Sequence, residues 1–105
     1  MSFNKEKLRN LEGLKDWAIL KLSSNAPAEV QESSGNGSLD WNLVAAELAQ
    51  TRFLLSRHQL PAISAQLYFS ESRLILLDCG NQTLAILLNR SNRTSLSELQ
   101  AALIS

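Results

Sequence analysis

The chain carries one histidine, His58, and one cysteine, Cys79. Any Ser-His-Asp or Cys-His arrangement would have to use His58, which falls at the end of a helical stretch, where the helix dipole favours a solvated imidazolium. No patterned partner accompanies it. Cys79 stands between Asp78 and Gly80, and the adjacent carboxylate has the wrong sign to stabilise a thiolate, so the thiol reads as inert. One Cys and one His fall short of the three or four ligands that zinc requires. Ser34-Gly35-Asn36-Gly37-Ser38 has glycines but no lysine and lacks the strand-to-helix setting of a phosphate-cradling loop. Arg52, Arg57, Arg90 and Arg93 are scattered over a helix end and a loop without interleaved aromatics, as on a solvated face. The expectation is a protein with no catalytic residues, no cofactor and no metal.

Composition narrows the partners. Ten basic and ten acidic residues cancel, and the pI is near 6.6, so no field of one sign draws in nucleic acid or an anionic membrane. The longest apolar run, Leu84 to Leu88, is far below the roughly 18 residues that cross a bilayer. The first residues lack the apolar stretch and cleavage site of a signal peptide, and a lone cysteine makes no internal disulfide; a cytoplasmic location is expected. With 105 residues, 45% of them hydrophobic, the chain is expected to form one domain over 1–105 with a real core.

The elements follow from periodicity. Leu8, Leu11 and Leu14 at steps of three, with Asn4 as a cap, predict a short helix over Lys5 to Leu14. Asp16 to Ser23 is apolar on both alternate sets, a strand covered on both faces. Asn25 and Pro27 make a turn, Glu29 to Ser33 a polar returning edge strand, and Ser33 to Ser38 a loop whose glycines suit positive φ. Asp40 to His58 has the strongest helical signal, with Trp41, Val44, Ala45, Leu48 and Leu55 on one face and Pro61 closing the region.

Ile63, Ala65, Leu67 and Phe69 alternate with polar residues, the pattern of a half-buried strand ending at Ser70. Leu74 to Leu77 and Leu84 to Leu88 are continuously apolar strands flanking a turn at Asp78-Cys79-Gly80-Asn81. Ser95 and Glu98 have capping-box spacing ahead of a terminal helix. The prediction is an α+β domain with a five-stranded, mostly antiparallel sheet, the long helix on one face and two short helices on the other.

The long helix carries an apolar excess. Leu43, Ala46, Ala49, Phe53 and Leu54 lie well away from its core stripe, and a helix with one buried face does not need them. If the first strand joins beside the last, the strand Ile63 to Ser70 lies at the sheet edge with Gln66 and Tyr68 on it, and no proline blocks pairing. An edge strand beside an over-apolar helix suits a dimer that extends the sheet.

This order of elements, with the leucine-rich hairpin running from Arg73 through Asp78-Cys79-Gly80-Asn81 to Asn89, resembles the Roadblock family of dynein-light-chain-type domains from about Lys7 to Leu103. The turn at Ser23-Ser24-Asn25-Ala26-Pro27 departs from the Asp-x-x-Gly-like turn common there. The resemblance implies a profilin-like fold and homodimers or heterodimers with a continuous sheet and paired long helices. It also implies service as a scaffold or regulator of Ras-like small GTPases or motor complexes. Two other readings compete: a small structural subunit of a larger assembly, and a small-molecule sensor or enzyme on a profilin-like or PAS-like sheet.

Overall fold

In the computed structural model, Asn4 Oδ1 accepts the Lys7 amide at 3.1 Å and opens α1 (Lys5–Arg9). The structure describes residues 3–22, 27–35, 37, 39–57, 64–79 and 82–104, with only the backbone for 52, 54–57, 64, 65 and 79. The first helix is shorter than the leucine spacing predicts. Gly13 adopts φ +75°, its carbonyl accepts the Asn89 amide at 2.8 Å, and Leu14 already pairs with Leu88. A left-handed turn tied to a strand ends the helical run, so Leu8 and Leu14 serve different elements.

The remaining elements are β1 (Leu14–Lys21), β2 (Glu29–Ser33), α2 (Trp41–Arg57), β3 (Ser64–Tyr68), β4 (Ser72–Cys79), β5 (Gln82–Asn89) and α3 (Leu96–Leu103). The five strands form one sheet in the order β2-β1-β5-β4-β3, antiparallel throughout. The expected placement of the first strand beside the last, with β3 at the edge, is what the pairing has. Asp78 and Cys79 extend β4 opposite Thr83 and Gln82, correcting their assignment to a turn. Two backbone pairings continue the ladder there, so the turn is shorter than its composition suggests. Gly80 and Asn81, like His58 and Ile63, lie outside the described residues.

Alternation along the strands divides the core in two. Trp17, Ile19, Ile75, Leu77, Leu84, Ile86 and Leu88 pack with Leu8 of α1 and Leu99 and Leu103 of α3. The alternate set, Ala18, Leu20, Leu74, Leu76, Ala85 and Leu87, packs with Trp41 and Ala45 of α2. Each fully buried Leu or Ile contributes about 1.5–3 kcal/mol relative to exposure, so β1, β4 and β5 hold the molecule together.

A polar anchor sits where β1, β2 and α2 meet. Asp16 is fully buried and accepts the Trp17 amide at 2.8 Å and the Ser34 hydroxyl. Burial alone would raise its pKa. The Ser34 hydroxyl, the Trp41 indole dipole, lying outside strict hydrogen-bond geometry, and the Trp17 and Leu39 amides together outweigh burial and leave it below the ordinary carboxylate value. The next carboxylate, Asp40, caps α2: its Oδ1 accepts the Asn42 and Leu43 amides at 3.1 and 3.3 Å. Among the described residues no helix is long and apolar enough to cross a membrane.

Candidate protein interface

Trp41 and Ala45 are buried, and Val44 and Leu48 half-buried, as the periodicity of α2 predicts; the side chain of Leu55, the last residue of that stripe, lies outside the described residues. At about 100° per residue the opposite surface and one flank are left for other contacts. Asn42, Ala46, Ala49 and Phe53 are spaced four, three and four residues apart, a narrow seam along that flank. Ala49 is half-buried at its inner margin, Ala46 is exposed, and Phe53 is 55% exposed. Leu43, 60% exposed, stands beside the seam, away from the sheet. The Leu54 side chain lies outside the description. Two alanines in the seam leave room for another helix to approach closely.

The second element is β3. Leu67 pairs opposite Leu74, whose side chain belongs to the α2-side core, and Tyr68 pairs opposite Arg73. The period-two pattern predicts Leu67 and Phe69 on a half-buried face. Instead each is 51% exposed, because β3 ends the sheet and nothing among the described residues covers its outer half. These two residues belong to the apolar surface and were missed because alternation marks a face without saying whether it is covered. Gln66 is exposed and Tyr68 is 58% exposed on the alternate face.

Backbone geometry shows what the edge offers. The Phe69 amide donates to the Ser72 carbonyl at 2.8 Å, making 69 and 72 a hydrogen-bonded pair. In an antiparallel ladder such pairs alternate, so Leu67 points its backbone groups toward β4 while Gln66 and Tyr68 present theirs to the free edge. The other sheet edge is guarded. Side chains of β2 alternate between exposed and half-buried and include Glu29 and Glu32, Glu32 pairs with Lys5 at 2.6 Å, and a bulge breaks the register between Ile19 and Leu20.

Two charged residues lie beside Tyr68. Arg73 is buried and donates to the Thr94 carbonyl at 2.7 Å. Arg90 is exposed, as on a solvated face, but contrary to expectation it has an aromatic neighbour: it lies 5.4 Å from the centre of the Tyr68 ring and donates to the Phe69 carbonyl at 3.1 Å. The strand pairing brings these together across distances in sequence that spacing could not reveal. In comparison with known proteins, the chain matches no family model and no curated protein.

Proposed function

We propose that the chain is a non-catalytic, dimer-forming Roadblock-like domain that serves as a scaffold or regulator for a Ras-like small GTPase or a motor or signalling complex. The observation that carries the dimer is the pairing of an open strand edge at Gln66 and Tyr68 with exposed apolar side chains at Leu67 on the same strand and Phe69 just after it. The seam at Ala46, Ala49 and Phe53 supplies the helix contact that the resemblance implies. Support for the Roadblock-like layout comes from the element order and from packing α2 against one set of strand residues and α1 and α3 against the other.

Covering a half-exposed Leu or Phe contributes about 1 kcal/mol, against an association cost of roughly 4–15 kcal/mol. No single residue therefore holds two chains together. Strand pairing and the helix seam have to act jointly, and this joint requirement selects a second copy of the chain over a short peptide.

Hydrogen exchange followed over a dilution series tests the pairing. Protection of the Gln66 and Tyr68 amides is expected to rise with protein concentration while that of β5 stays constant; concentration-independent exchange at both amides would contradict edge pairing. The GTPase role rests on the resemblance, and co-sedimentation with Ras-like GTPases loaded with GDP or a GTP analogue tests it. Association in one nucleotide state is the expected result, and absence in both would remove that role.

A further inference from the structure

We infer that the chain binds a phosphate group, free or carried on a small organic molecule, in a cleft lined by Tyr68, Arg73, Arg90, Ser91, Asn92 and Arg93. The cleft has a volume of about 610 Å³, within the usual span of small-molecule sites. Its walls come from three places in the sequence. Arg73 of β4 is flanked by Tyr68 on β3 and Leu88 on β5. The turn after β5 then carries Arg90 to Arg93 back over it. That turn is fixed by its own bonds: Asn89 Oδ1 accepts the Ser91 amide at 3.0 Å, Asn92 Oδ1 accepts the Thr94 amide at 2.9 Å, and Asn92 Nδ2 donates to the Glu12 carbonyl at 2.7 Å.

Electrostatics point to an anion. Arg73 is only 4% exposed, and its Nε is a buried donor with no partner among the described residues. A buried guanidinium with an unused donor is costly unless an acceptor, and preferably a negative charge, answers it. Among the described residues the Arg73 side chain has the Thr94 carbonyl as an acceptor and no carboxylate. Among the described residues no carboxylate, that of Glu71 in the adjoining turn included, forms an ion pair with any of the three arginines. Arg90 is held in place by the Phe69 carbonyl and the Tyr68 ring, which preorganises it at the cleft.

Three guanidiniums around one cleft exceed what a single carboxylate balances. A phosphate dianion offsets two of their three charges, and its oxygens suit the forked donors of arginine. Ser91 and Asn92 add neutral polar groups, and the volume leaves room for an organic group beside the phosphate.

Calorimetric titration of the full chain with inorganic phosphate and with phenyl phosphate, at constant ionic strength against sodium chloride, tests the site. Because Arg73 is buried and its loss endangers folding, the variants are Arg90→Ala and Arg93→Ala, with Lys7→Ala on α1 as the control cation, each checked for folding by circular dichroism. Saturable binding is expected, weakened about tenfold or more by either arginine change and unchanged by Lys7→Ala. Tighter binding of phenyl phosphate would identify an organic phosphate as the ligand, and equal binding the free anion; both uphold the site. No saturable binding of either probe, or equal affinity in folded Arg90→Ala and Arg93→Ala, would overturn it. Arg93→Ala is expected to leave self-association intact, so this site and the dimer fail separately.

Discussion

Asp16 shows how one residue can organise two elements. Its carboxylate joins the Ser34 hydroxyl, after β2, to the start of β1 and lies against Trp41 at the head of α2. Because its pKa is lowered on folding, its contribution to stability is fully present above the ordinary value of 3.8 and is lost as pH falls through the lower folded value. Asp16→Asn is expected to cost about 1–3 kcal/mol at pH 7, with the gap narrowing below about pH 4. Chemical denaturation at pH 7 and pH 3 measures this, and a gap that widens in acid would contradict the assignment. Nothing in the sequence marks Asp16 as buried, since the run that follows it reads as strand whether or not the aspartate faces solvent.

Gly13 makes a second prediction at this scale. A Cβ there would sit 3.1 Å from Asn89 Cβ at φ +75°, so Gly13→Ala is expected to destabilise by about 1–3 kcal/mol in thermal unfolding. An unchanged midpoint would mean that the turn can re-form with a right-handed residue.

Among the elements, those that periodicity predicts best are the ones buried on both faces. Continuous apolar runs locate β1, β4 and β5, and Ser95 caps α3 as its spacing predicts, accepting the Glu98 amide at 3.2 Å. Ser95→Ala is expected to lower stability by about 1 kcal/mol without moving the sheet, read from the denaturation midpoint and the far-ultraviolet spectrum. Boundaries were less legible. Helix α1 stops early because a glycine turn is tied to β5, and β4 runs through Asp78 because pairing with Thr83 outweighs local turn composition. Such long-range bonds leave no trace in a window of ten residues. The residues of the proposed interface divide the same way: the helix seam follows from spacing along α2, whereas the exposure of Leu67 and Phe69 depends on where β3 falls in the sheet.

For the whole molecule, the strand order β2-β1-β5-β4-β3 gives the two edges different characters. Carboxylates and a bulge blunt β2, while β3 combines open backbone groups with uncovered apolar side chains. The arginine cleft lies at the β3 end on the opposite face from Leu67, so a paired edge and an occupied cleft are compatible. The arginines themselves were visible in the sequence, but their convergence on Tyr68 needed β4, β5 and the following turn to be placed.

In the proposed dimer, two copies of the chain associate through α2 and β3. Sedimentation of the purified chain, beside Phe53→Asp, tests it most directly, because a charge forced into an apolar contact costs several kcal/mol and separates the partners. A wild-type dimer that becomes a folded monomer on Phe53→Asp is the predicted result. A wild-type monomer at high concentration, or a dimer indifferent to Phe53→Asp, would contradict it.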